Sequence, residues 1–136
     1  MLFTCKLKTQ QPFAGRQAVE RQRAEGVRRR LVTLTLPQPR PLWGLEGIRR
    51  NGQPVGFVRR AEHAFALDQT VAYGYVRSPD GGKVTNAFLK EGAWELDVMG
   101  ERLPAELHLK SPFDPQNRRL QGHYEELGED VVRAAV

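Results

Sequence analysis

The dipeptide Asn51-Gly52 stands between two short runs, Leu45-Glu46-Gly47-Ile48-Arg49-Arg50 and Pro54-Val55-Gly56-Phe57-Val58-Arg59. Asn followed by Gly tolerates the two positive φ angles of a type I′ turn, whose twist matches that of paired antiparallel strands. The stretch therefore predicts a tight β-hairpin, the strongest local signal in the chain.

The same reading extends to either side. In Leu31-Val32-Thr33-Leu34-Thr35-Leu36, β-branched and apolar residues alternate, which predicts a strand burying Val32, Leu34 and Leu36 and ending at Pro37, Pro39 and Pro41. Thr70 to Arg77 reads as a further strand, closed by the turn material Ser78-Pro79-Asp80-Gly81-Gly82. Ala93 to Lys110 predicts a second hairpin. There Trp94, Leu96 and Val98, then Ala105, Leu107 and Leu109, form the apolar face, and Gly100 marks the reversal. About six short strands separated by Gly and Pro turns favour a mainly β fold, a closed six-stranded Greek-key barrel, because closure removes the edges that short strands would otherwise expose.

One helix is expected before the strands. Arg16 to Ala24 is rich in good helix formers, with Pro12 upstream and Gly26 where a left-handed C-cap would fall. Ala14, Ala18 and Val19 make only a thin apolar stripe, enough to pack one edge. At 136 residues the chain is one domain with one core. It divides into a basic segment with the short helix (1–28), the barrel (29–122) and an acidic tail (123–136). The basic segment and barrel start carry Lys6, Lys8, Arg16, Arg21, Arg23, Arg28, Arg29 and Arg30 against Glu20 and Glu25.

Several chemistries are disfavoured. No Gly-x-Gly-x-x-Gly fingerprint or phosphate loop occurs, and Gly44, Gly47, Gly52 and Gly56 are better explained as turns and tight barrel corners. Cys5, the only cysteine, forms no internal disulfide, suits a reducing compartment and shows no close metal-ligand spacing with His63, His108 and His123. Each histidine reads as structural or solvated, His108 on the outward face of its strand. No apolar run approaches the ~20 residues of a spanning helix, and Lys6 and Lys8 interrupt any signal-peptide core, so a soluble chain without membrane contact is expected. Arg28-Arg29-Arg30 could neutralise phosphates or dock on an acidic partner, but no aromatic ladder or groove-reading motif accompanies it, so nucleic acid is a poor fit. Arg118 and Arg119 follow the bend Pro112-Phe113-Asp114-Pro115. A guanidinium fixed there suits a carboxylate of a ligand or another domain, with an ordinary surface salt bridge as the competing reading.

Taken in order, Leu42-Trp43-Gly44-Leu45-Glu46-Gly47-Ile48-Arg49-Arg50-Asn51-Gly52-Gln53-Pro54-Val55-Gly56-Phe57-Val58-Arg59-Arg60-Ala61, Val71-Ala72-Tyr73-Gly74-Tyr75-Val76 and Leu109-Lys110-Ser111-Pro112-Phe113-Asp114-Pro115 resemble the C-terminal barrel of the glycine-cleavage T-protein (aminomethyltransferase) family. Phe3 to Lys8, with Pro12-Phe13 and Gly15-Arg16, is similar to the end of the folate-binding domain that precedes that barrel. Arg59-Arg60-Ala61 stands where the plain T-protein pattern has Thr-Ser-Gly. This departure resembles the branch in which a flavin-dependent half, oxidising sarcosine or dimethylglycine, precedes the folate half.

The resemblance implies a barrel that closes over a tetrahydrofolate channel shared with a preceding domain. FAD is confined to the missing N-terminal half, and no complete catalytic site lies on this chain. It further implies that an arginine near the chain end contacts folate, with Arg119 the first candidate and Arg118 the second. The expected partners are the folate-binding and flavin domains of a parent oxidoreductase. Self-association is expected around the helix and first strand where those domains are absent, and the expected location is cytoplasmic, or the mitochondrial matrix in a eukaryote.

Overall fold

A computed structural model describes Cys5 and residues 7–124. The elements run α1 (Arg16–Glu25), β1 (Arg29–Leu36), β2 (Gly47–Arg50), β3 (Gln53–Ala64), β4 (Gln69–Arg77), α2 (Asn86–Lys90), β5 (Trp94–Val98) and β6 (Glu101–His108). The strands close into a barrel in the order β1-β4-β3-β2-β5-β6, every neighbouring pair antiparallel. Consecutive β2, β3 and β4 lie side by side and β4 returns beside β1, which is the Greek-key arrangement.

Alternation along the strands builds the core. Val32, Leu34 and Leu36 of β1 point inward, as the sequence pattern predicts, and meet Ile48, Val58, Ala72, Val76, Trp94, Leu96 and Val98 from the other walls. Leu103, Ala105 and Leu107 of β6 complete the lining half-buried, while Leu109 lies beyond the strand end.

Asn51 (φ 50°) and Gly52 (φ 76°) take up the two left-handed positions expected of the β2–β3 turn, and Met99 (φ 49°) and Gly100 (φ 86°) do the same between β5 and β6. Asn51 has a second role: its backbone N–H donates to Ala93 O and its Oδ1 accepts from Ala93 N–H, each at 2.8 Å. The hairpin tip is thereby tied to the residue before β5, and the tie agrees with the β2–β5 register that pairs Arg50 with Trp94.

Two features depart from the sequence reading. The first is α2, a five-residue helix between β4 and β5 that the sequence pattern does not predict. Thr85 caps it by accepting from Phe88 N–H, and Leu89 is buried in the core. Arg50 donates from Nε to Phe88 O and Glu91 O, both at 2.9 Å, with its guanidinium 4.2 Å from the Phe88 ring centre. Trp94 Nε1 donates to Leu89 O, so β2 and β5 both fasten this helix.

The second departure is α1, which buries no residue. Val19 is half-buried, whereas Ala14 and Ala18 are exposed, so the expected packed stripe reduces to one side chain. Gly26 has φ 76° and ψ 166°, a positive φ but not the left-handed helical cap predicted for it. What organises this region is Arg16. Its guanidinium donates to the carbonyls of Leu7, Thr9 and Gln11 and pairs with Glu20 at 2.8 Å.

The Pro-rich connection after β1 is pinned at the barrel end by buried Thr70, whose Oγ1 donates to Arg40 O and accepts from Arg40 N–H. These two hydrogen bonds offset the cost of taking the hydroxyl out of water. The acidic stretch Glu125 to Asp130 lies outside the described residues, as do Phe3, Thr4 and Lys6.

Candidate functional site

The segment after β6 is a chain of turns built around Asp114. This residue has a positive φ of 43°, and Asn117 has one of 55°. Both types tolerate that region through local hydrogen bonding. The Asp114 carboxylate accepts from the backbone N–H groups of Arg118 (Oδ1, 2.8 Å) and Arg119 (Oδ2, 3.0 Å), while Asn117 N–H returns to Asp114 O. Gln121 N–H and His123 N–H close on Arg118 O, and Gly122 N–H on Arg119 O. The two arginines expected to carry function are thus held on a compact framework rather than a free arm.

Their side chains differ in setting. The Arg119 guanidinium lies 5.0 Å from the Phe113 ring centre, a cation–π contact. Its Nε is buried and has no hydrogen-bond acceptor among the described residues. A buried guanidinium N–H without an acceptor costs about 1–3 kcal/mol. Arg118 is half-buried and brought beside it by the same turns.

The other candidates take structural places. His108 points outward as the alternation predicts, yet its side chain is covered and its Nε2 lies 2.8 Å from Oγ1 of buried Thr35. His63 lies edge-on to Phe65 and 3.6 Å from Asp68. His123 and Cys5 are exposed. Gly56 sits where an added Cβ would collide with the Tyr75 carbonyl, and a Cβ on Gly47 would come 2.7 Å from Asp97 Oδ2, so these glycines serve close strand packing. Arg30 is committed within the fold, donating to Asn86 Oδ1 at 2.8 Å. No group of three or more His, Cys, Asp or Glu able to hold a metal ion occurs among the described residues, and no helix among them is long and apolar enough to cross a membrane.

Grooves on the barrel lie elsewhere. One of about 370 Å³ runs between the Pro39–Leu42 connection and Ala61–His63. Another, of about 330 Å³, crosses the outer wall at Phe57, Tyr75, Arg29, Arg59 and Arg77, a grouping that the sequence pattern does not predict. Strand register and a bulge bring those residues together; Arg59 falls at the register shift between Val58 and Arg60, where simple alternation gives no forecast of its direction.

A closed Greek-key barrel followed by an arginine-bearing turn segment defines a mainly β domain. Residues 29–114 match the family described as the glycine cleavage T-protein C-terminal barrel domain. The chain belongs to that family. It is 55% identical over 124 residues to mitochondrial sarcosine dehydrogenase of Mus musculus, covering 91% of this chain and 14% of that protein. The mitochondrial sarcosine dehydrogenase of Homo sapiens gives the same identity and coverage. An aminomethyltransferase of Synechococcus sp. (strain RCC307) is 38% identical over 102 residues, 74% of this chain and 26% of that protein. The chain thus spans about one-seventh of the length of the sarcosine dehydrogenases it matches.

Proposed function

We propose that this chain is the folate-side barrel of a sarcosine dehydrogenase-like enzyme, in which oxidation of sarcosine and transfer of its one-carbon unit to tetrahydrofolate require polypeptide beyond the barrel. The carrying observation is 55% identity to two sarcosine dehydrogenases across 91% of the chain. The departure Arg59-Arg60-Ala61 from the plain T-protein pattern supports the same branch.

The residues fit tetrahydrofolate, whose carboxylates need cationic donors. Arg119 offers a buried Nε–H with no acceptor among the described residues and a guanidinium held against Phe113. Asp114 holds its backbone in place. When bound, tetrahydrofolate supplies the acceptor for the one-carbon unit. The chain's own contribution is to orient the ligand through Arg119, seconded by Arg118, and to keep water from its channel.

Flavin does not fit here, because the chain has no dinucleotide fingerprint, and we assign it to the accompanying polypeptide. The preceding folate and flavin domains are the partners of this reading, and a mitochondrial location accords with the two mitochondrial relatives. With sarcosine and a dye acceptor, the purified chain is expected to reduce none of the dye. Sarcosine-dependent reduction above the protein-free rate overturns the assignment.

A further inference from the structure

The outer wall formed by β1, β4 and β3 carries an arrangement the folate reading does not use. Arg29 of β1 and Arg77 of β4 are directly opposed in register, and the bulged Arg59 of β3 completes a trio around the 330 Å³ cleft. All three are exposed, and none makes a hydrogen bond or salt bridge to a carboxylate among the described residues. Like charges directly opposite on neighbouring strands repel, so the pair Arg29–Arg77 lowers the stability of the barrel it sits on. A local violation of this kind marks a surface whose complement comes from outside the fold.

The cleft floor states what the complement is. Phe57 and Tyr75 are cross-strand neighbours, each still more than two-fifths exposed. The Arg29 guanidinium lies 4.5 Å from the Tyr75 ring centre, and Arg59 lies 5.4 Å from that of Phe57. Exposed guanidinium groups held against rings retain the N–H donors that meet carboxylates in bidentate fashion. The cleft offers two rings rather than the longer aromatic series on which successive nucleic-acid bases stack.

We propose that this cleft docks an acidic peptide segment, with carboxylates on Arg29, Arg59 and Arg77 and an apolar side chain between them on Phe57 and Tyr75. Neutralisation of the Arg29–Arg77 repulsion by a bound carboxylate adds to the binding. The site is separate from Arg119 and stands whether or not the folate reading holds.

The test uses the full chain and a fluorescein-labelled pentapeptide of four glutamates around a central phenylalanine, followed by anisotropy at low and physiological salt. Arg77→Glu is expected to weaken binding at least about ten-fold, the loss of one or more charge-assisted contacts. It should also hold or raise the melting temperature, because the new carboxylate pairs with Arg29. Arg21→Ala/Arg23→Ala, which changes net charge by the same amount on α1, is expected to leave affinity within about two-fold, since screened distant charges contribute little. Absence of peptide binding by the parent chain overturns the proposal. So does an equal loss in the α1 control, or tighter binding of a thymidine oligonucleotide of matched charge.

Discussion

Gly74 occupies an inward position of β4, and an added Cβ there would meet Ile48 Cδ1, from β2 across the barrel, and the backbone carbonyl of Phe57 at 2.6 Å. Gly74→Ala therefore introduces two overlaps of different kinds. One involves the end of an aliphatic side chain that truncation removes; the other is backbone that only a strand shift relieves. Overpacking of a close-packed core costs ~1–3 kcal/mol, and two simultaneous overlaps place this variant near ~3 kcal/mol. Ile48→Val alone deletes the Cδ1 methyl from a fully buried site and costs ~1 kcal/mol.

In the double variant the methyl loss and the alanine insertion compensate. The coupling is then ~1–2 kcal/mol, and the remaining destabilisation reports the Phe57 carbonyl. Urea unfolding in a Trp43→Phe background isolates the fluorescence of buried Trp94, since Trp43 is exposed. Additive effects, with coupling under ~0.5 kcal/mol, refute the claim that Ile48 fills the space left by Gly74.

Other consequences follow from particular contacts. Arg50→Met removes both hydrogen bonds that fasten α2 to β2 and is expected to cost ~1–3 kcal/mol, with earlier hydrogen exchange at Leu89 and Phe88; unchanged exchange there contradicts the fastening role. Asp80 is exposed, and the Ser78 hydroxyl and then the Gly82 N–H hold its carboxyl below the usual range. Its stabilisation of the turn is present above the ordinary carboxylate pKa and is lost as pH falls through the depressed folded value. A side-chain carbon NMR titration should give a low Asp80 midpoint that rises in Ser78→Ala, and an unmoved midpoint contradicts the cause. Self-association around Val27 and β1 is expected in sedimentation velocity and should weaken in Val27→Asp; a strictly monomeric boundary at high concentration removes it.

Most of the barrel is legible in the sequence because alternation and turn chemistry are local. Val32-Thr33-Leu34-Thr35-Leu36 dictates which face is buried, and Asn51-Gly52 sets the hairpin, without knowledge of any partner. The tie from Asn51 to Ala93 is not legible, since it joins residues 42 apart in the chain. α2 escapes notice because a five-residue helix has too few turns to show a period; Thr85 followed by the buried Leu89 is its trace. The Arg29–Arg59–Arg77 trio depends on register and on a bulge, which composition does not encode. The importance of Arg118 and Arg119 comes from the family likeness, whereas the Asp114 framework and the buried Arg119 Nε emerge from the three-dimensional arrangement.

The central claim is that this barrel serves one-carbon transfer to folate through Arg119 and not sarcosine oxidation. A chimera of the mouse sarcosine dehydrogenase, with its matching 124-residue region replaced by this chain, tests it in a whole enzyme. Arg119→Ala in that chimera is expected to raise the tetrahydrofolate concentration needed for half-maximal one-carbon transfer by about ten-fold, as for loss of a charge-assisted hydrogen bond, while sarcosine-dependent dye reduction stays unchanged. An unaltered tetrahydrofolate requirement, or an equal fall in both activities, contradicts it.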